Sequence, residues 1–285
     1  MLDGGSIRFN EKHSDDYGIF IDASEILYSK KSKFQLVEVI NSKTWGKVLL
    51  LDRNIMTTDE DEFVYHEMIT HTPYFCLDNA ESALVIGGGD GGTVRELLKH
   101  DSMKKVTLVE IDGDVIDVCK EFFPKIACAF NDPRLEVKVE DGIEFIKNCE
   151  YKYDILIIDS SDPFGPAEGL FREEFYRNCK KCLKPDGILT CQAGNSFVTD
   201  ESVIAFQNLK KVFGNVEYYL ANILTYGGLW GFAFASDKSK SENFNLDLFK
   251  KENLDLKYYS DKMHKAAFSI PPFFEKKLNK PFEKK

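Results

Sequence analysis

The run Gly87-Gly88-Gly89-Asp90-Gly91-Gly92 combines bare backbone, which a ligand can approach closely, with a single carboxylate. Gly87, Gly89 and Gly92 satisfy G-x-G-x-x-G. An apolar run at 83–86 precedes the loop and a helical pattern at 93–99 follows it, the context in which this motif holds a nucleotide or nucleoside. Glu110 ends the next apolar run, about twenty residues on, where a carboxylate accepts from both hydroxyls of a ribose. Asp90 separates the possible ligands. At ~4 Å from a pyrophosphate and an effective dielectric near 20 it would cost about 4 kcal/mol, which argues against NAD. A ligand with positive charge reverses the sign, so the loop suits a cationic adenosyl group.

Two further segments carry acids. In Glu140-Asp141-Gly142 a carboxylate can accept from an exocyclic adenine amine while the glycine lies close to the ring. An acidic helix start explains the same tripeptide equally well. Asp159-Ser160-Ser161-Asp162-Pro163 follows an apolar run at 155–158, and its two acids can converge on one small cation or take a proton from an attacking amine. By itself the segment also reads as a turn capping the next helix. With Asp90, Glu110 and Asp141, five acids fall on strand-end loops around one crevice, too coordinated an arrangement for turns alone.

Other spacings carry no chemistry. His66 and His71 are five apart, so on a helix they diverge by roughly 140° and do not share a metal. Cys179 and Cys182 have C-x-x-C spacing inside a helical pattern with no second pair. No G-x-S-x-G elbow occurs.

The elements that must position these residues follow from periodicity. Residues 1–65 read as a β-domain, with β-prone runs at 34–39 and 47–51 joined through Asn41-Ser42-Lys43-Thr44. The acidic stretch 59–62 opens an amphipathic helix through Tyr65, Met68 and Ile69. Residues 66–285 form the second domain. Candidate strands at 83–86, 106–109, 135–139, 155–158 and 188–191 alternate with helices at 93–99, 113–122, 142–147 and 173–183. A further strand is expected at 229–235, and the Lys-rich tail from Phe274 reads as a solvated end. This rhythm predicts a doubly wound, mostly parallel α/β sheet of Rossmann type with ligands at the carboxyl ends of its strands.

Composition narrows the partners. A net charge of −10 argues against nucleic acid, and no run approaches the roughly 20 apolar residues of a membrane-spanning helix. Seven cysteines, an odd number in a chain without an export signal, read as free thiols in the cytoplasm.

The same residues resemble the polyamine aminopropyltransferases. The likeness runs from Phe34-Gln35 through Tyr65-His66-Glu67-Met68, GGGDGG at 87–92, VEID at 109–112, DSSDP at 159–163, GPAEGLF at 165–171, Cys191-Gln192 and TYGG at 225–228 to His264 and Ala266-Ala267-Phe268. It implies a small N-terminal β-domain before a methyltransferase-like Rossmann domain, and a homodimer or homotetramer. It also implies transfer of an aminopropyl group from decarboxylated S-adenosylmethionine to a diamine, with no metal and no tightly bound cofactor. Gln35, Gly87, Gly89, Glu110, Asp141, Gly142 and Pro166 would hold the nucleoside, and Asp90 the donor's ammonium. Asp159 would be the base, assisted by Tyr65, with Tyr65, His66, Asp162, Gln192 and Tyr226 shaping the diamine channel. The acceptor end departs from the family pattern at Met56, at Ala193-Gly194 and at Leu224, where a proline is common. Putrescine is the first expectation, with cadaverine, agmatine or a longer polyamine open. A methyltransferase on the same fold is the rival, disfavoured because Asp90 would repel the carboxylate of S-adenosylmethionine.

Overall fold

The computed structural model describes residues 6–161, 165–195 and 200–280. The N-terminal part is a five-stranded antiparallel meander: β1 (Ile7–Lys12), β2 (Gly18–Lys31), β3 (Leu36–Ser42), β4 (Gly46–Leu51) and β5 (Asn54–Thr58). Val37, Val39 and Leu49 face α3 (Gly113–Phe122) of the second part, while Phe9, Ile21, Ile40, Val48 and Leu50 form a core on the other face. The period-two alternation of a sheet covered on both sides is thus used twice.

Helix α1 (Glu62–Tyr74) follows, and then the second sheet: β6 (Ser82–Gly87), β7 (Lys105–Glu110), β8 (Leu135–Val139), β9 (Tyr153–Asp159), β10 (Leu183–Asn195), β11 (Asn215–Ile223) and β12 (Gly228–Ser236). Its order is β11-β12-β10-β9-β6-β7-β8, parallel from β10 to β8, with β12 antiparallel to both β10 and β11. The chain reverses its direction of travel across the sheet between β6 and β9, which opens the crevice where such folds bind ligands. Helices α2 (Gly92–Leu98), α4 (Gly142–Lys147), α5 (Glu173–Lys181), α6 (Glu201–Lys210), α7 (Leu246–Glu252), α8 (Asp261–Ala267) and α9 (Pro272–Asn279) complete the fold. None of the described helices is long and apolar enough to cross a membrane.

Three local expectations need correction. Helix α1 is not amphipathic: its residues from Val64 to Tyr74 are all buried. The sheet covers one side, where Thr190 Oγ1 donates to the Ile69 carbonyl, and the C-terminal segment covers another, where Glu67 accepts from the N–H groups of Lys257, Tyr258 and Tyr259 at 2.8 Å each. The chain from Phe274 is no solvated end up to Asn279, because Phe274 and Leu278 of α9 are buried against Phe206 and Tyr218. The strand expected at 188–191 extends over Leu183–Asn195, since the loop before it continues the pairing with β9. All seven cysteines are free.

Candidate active site

One cleft runs from the carboxyl ends of β6, β7 and β9 to the edge of the N-terminal sheet. Gly87 stands opposite Asp159 in the β6–β9 register, and the Gly88 N–H donates to the Asp159 carbonyl at 2.8 Å. At Gly87 φ is +83°, and an added Cβ would lie 2.1 Å from that carbonyl oxygen. Glycine is therefore required there by the neighbouring strand as well as by any ligand. The result fixes the Asp159 side chain beside the glycine loop.

Asp159 has hydroxyl partners on both oxygens. Tyr65 Oη donates to Oδ1 at 2.7 Å and Thr93 Oγ1 to Oδ2 at 2.6 Å. Burial first, then the charge of Asp90, pushes its carboxyl above the usual range, with the His66 charge and these two hydroxyls opposing. Asp90 is displaced the other way. Burial works against its ionised form, but His66 Nε2 at 3.3 Å and the Gly92 N–H at 2.9 Å outweigh it. Asp90 and Asp159 thus form two neighbouring acids with opposite shifts in one cleft.

His66 is buried with both ring nitrogens engaged, Nδ1 lying 2.6 Å from Glu62 Oε2. Its ring rests on the backbone of Gly92, where a Cβ would come within 2.3 Å of it. The last glycine of the motif is therefore a packing requirement of His66.

At the other end of the cleft Glu110 accepts from the Asp112 N–H at 2.9 Å, while burial first and the charges of Asp112 and Asp159 next raise its pKa to about 7. Gln35 reaches from the N-terminal sheet and donates to Asp112 Oδ2 at 2.9 Å, where Ser32 also donates. Asp141 caps α4, accepting from the Ile143 N–H at 2.7 Å, and also lines the cleft with Gly142, so both readings of that tripeptide coincide in space. Gly89 lies against Glu110.

On the remaining wall Tyr226 donates its hydroxyl to the Met56 carbonyl, edge-on to Tyr65 with ring centroids 6.0 Å apart. Gln192 donates to the carbonyls of Ser160 at 3.1 Å and Ser161 at 3.2 Å, and so braces the loop that follows Asp159. Asp162 and the side chain of Pro166 lie outside the described residues. The other site residues expected from sequence come together around this one cleft.

Sequence reasoning missed several participants. Thr93 carried a signal in its place directly after the glycine run. Arg95 and Glu62 were hidden: the guanidinium grips both oxygens of Glu62 at 2.9 Å, whereas the acidic stretch 59–62 reads as an ordinary helix start. Glu11 and Trp230 also line the cleft, and no local pattern in their strands marks them. His71, set aside as a metal ligand, points away from the cleft into a network with Glu96 and His100.

Known proteins share this architecture throughout. Residues 62–273 match the Spermine/spermidine synthase domain and residues 7–59 the Spermidine synthase tetramerisation domain. The polyamine aminopropyltransferase of Moorella thermoacetica is 43% identical over 279 residues, covering 97% of this chain and 98% of that protein. That of Clostridium perfringens is 42% identical over 274 residues, covering 95% and 97%. The spermidine synthase of Thermotoga maritima superposes with a TM-score of 0.91 at 37% identity, covering 95% of this chain and 94% of that one. A spermidine synthase in complex with the transition state analogue AdoDATO gives 0.93, also at 37% identity and with the same coverage. With the cleft and both sequence domains in agreement, the chain belongs to the polyamine aminopropyltransferases, the spermine/spermidine synthase family, and is an aminopropyl-transferring enzyme.

Proposed function

We propose that the chain moves the aminopropyl group of decarboxylated S-adenosylmethionine to putrescine, releasing methylthioadenosine and giving spermidine. The observation that carries this reading is the pair Asp90 and Asp159, two half-buried carboxylates beside a glycine loop, one braced by His66 and one by two hydroxyls. In this reading Gln35, Glu110, Asp141, Gly142 and Pro166 hold the nucleoside, with Gly87 and Gly89 giving its sulfonium side close access to the backbone. Asp90 takes the donor's ammonium. Tyr65, His66, Asp162, Gln192 and Tyr226 shape the acceptor channel.

The chemistry is a displacement at carbon. The acceptor nitrogen forms the new N–C bond as the C–S bond breaks, and the sulfonium leaves as a neutral thioether, so the leaving group needs no further activation. An alkyl ammonium resembles lysine, with a pKa around 10.4, and must first lose a proton. Asp159 takes it. A carboxyl above its usual range is a better proton acceptor near neutrality than an ordinary aspartate, and Tyr65 and Thr93 fix its two oxygens. No tightly bound cofactor enters.

The enzyme is further proposed to be a cytoplasmic homodimer or homotetramer. The match of residues 7–59 to a tetramerisation domain and the exposed apolar side chains Ile7, Phe20 and Ile26 of β1 and β2 favour self-association. Light scattering on the purified protein tests it, a monomer being the contrary outcome. The acceptor is tested by incubating enzyme and decarboxylated S-adenosylmethionine separately with putrescine, cadaverine, agmatine and spermidine, with methylthioadenosine release as readout. Preference for putrescine in kcat/KM is expected, and a clear preference for another amine overturns that part of the proposal.

A further inference from the structure

Four charged side chains lead into the cleft from behind, in alternating sign: Arg95, Glu62, His66 and Asp90. All four are largely buried, with side-chain exposures of 14%, 8%, 3% and 13%. Arg95 donates to both oxygens of Glu62 at 2.9 Å and, through Nε, to Glu96 Oε1 at 2.8 Å, so its guanidinium is clamped between two carboxylates. A carboxylate held on a two-pronged guanidinium is an acceptor only. Glu62 therefore demands a proton on His66 Nδ1, 2.6 Å away. Asp90 accepts from Gly92 on one oxygen and faces His66 Nε2 with the other, which demands a proton there as well. A neutral imidazole carries one such proton and an imidazolium two.

The groups facing His66 come from every element packed on it. Glu62 and the edge of the Tyr65 ring, at 5.4 Å, belong to α1. Asp90 belongs to the glycine loop, and Arg95 of α2 acts through Glu62. Asp159 at the end of β9 feels the His66 charge.

We propose that Glu62 and Arg95 are positioning residues for the transfer: they hold His66 as an imidazolium, the countercharge that lets Asp90 and Asp159 stay ionised side by side and each receive an ammonium group. The proposal rests on the donor and acceptor assignments given above. Burial alone would strip His66 of its charge, yet the Asp90 and Glu62 carboxylates outweigh it and push the ring well above its ordinary value. Without that charge, two half-buried carboxylates in one cleft retain a proton between them, and the ammonium groups lose one of their two partners.

The first test is independent of any acceptor. In the ¹⁵N-labelled full-length protein, His66 is assigned by comparison with H66Q and titrated from pH 6 to 9. Both ring nitrogens should stay protonated through pH 8, and a neutral ring at pH 7.5 overturns the proposal. E62Q should bring the ring back towards ordinary titration, and an unchanged ring in that variant also overturns it. The second test reads catalysis. In E62Q and R95Q the acidic limb of kcat/KM should move to higher pH by about one unit, a roughly tenfold loss at a fixed pH on that limb, with recovery on the alkaline side. A uniform loss at every pH signifies a structural role only and sinks the idea. Should these variants unfold, R95K keeps the charge without the fork, and an unmoved limb there counts against the proposal in the same way. Failure of every amine in the acceptor panel would refute the functional reading while leaving the His66 titration to be judged alone.

Discussion

His66 and His71 leave the same helix five residues apart, and both rings are buried. Around His66 each nitrogen faces a carboxylate. Around His71 one nitrogen faces Glu96 at 2.9 Å, but the other meets a second imidazole, His100, at 3.0 Å. Burial pushes both rings towards neutrality, and two carboxylates reverse the outcome where one does not: His66 is raised, while His71 is lowered and His100 falls to about 4. The carboxylates show the same contrast. Glu96 has Arg95, His71 and Lys99 around it and lies far below its usual range. Asp159 is held by hydroxyls and Glu110 by backbone N–H groups, and both are raised. The seam behind the cleft balances its charges internally. The cleft instead leaves Asp159 and Glu110 on neutral donors, a stability cost that structure alone would not require and that the proposed cationic substrates would offset.

The sharpest way to break this contrast is Asp159→Asn. The amide keeps the shape and cannot take a proton, so kcat should fall by about 10²–10⁴, read as methylthioadenosine release at saturating substrates. Because the side chain carries no salt bridge among the described residues and its partners there are hydroxyls, Tm should stay level or rise. A variant retaining kcat within tenfold would remove Asp159 as the base.

The reverse pattern is expected for Glu96→Gln. Breaking a buried network of this kind costs about 3 kcal/mol, because Arg95 Nε, His71 Nε2 and the new amide cannot all find acceptors. Urea unfolding should show that loss. Arg95 keeps its grip on Glu62, so kcat of the folded enzyme should remain within about threefold and its pH profile should not move. A shifted profile would mean that the two regions are one electrostatic unit.

These two outcomes also mark what sequence reasoning can reach. The parallel strands were legible because β6, β7, β9 and the centre of β10 are continuous apolar runs between helical patterns. The acids of the cleft were legible wherever strand ends deliver them, at Asp90, Glu110, Asp141 and Asp159. The Arg95–Glu62–His66 chain was not, since its members lie on two helices and their pairing depends on how α1 crosses α2. For the same reason α1 passed for an amphipathic helix: the face that periodicity assigned to solvent is covered by residues 257–259, nearly two hundred positions away. Strand β11 and helix α9 went unread because mixed sequences such as Asn215–Ile223 gain their identity only from pairing with β12 and packing on Phe206.

The smallest effect concerns Glu110, where the contrast has a definite sign with pH. Its pKa of about 7 in the folded chain stands above the ordinary 4.5, so the folded state binds the proton more tightly than the unfolded one. Stability is therefore greatest when the group is protonated in both states and declines as pH rises from 4.5 towards 7, after which the penalty is constant. Glu110→Gln removes the titration while keeping an acceptor for the Asp112 N–H. Relative to the parent, E110Q should gain on the order of 2 kcal/mol at pH 8 and little at pH 5, seen as a higher Tm in calorimetry at the alkaline pH only. Donor affinity should drop in the same variant, because a neutral amide accepts less strongly from ribose hydroxyls. A gain of equal size at both pH values would show that Glu110 is ionised without penalty. The surplus negative charge would then be confined to Asp159, and the contrast between cleft and seam would rest on that one residue.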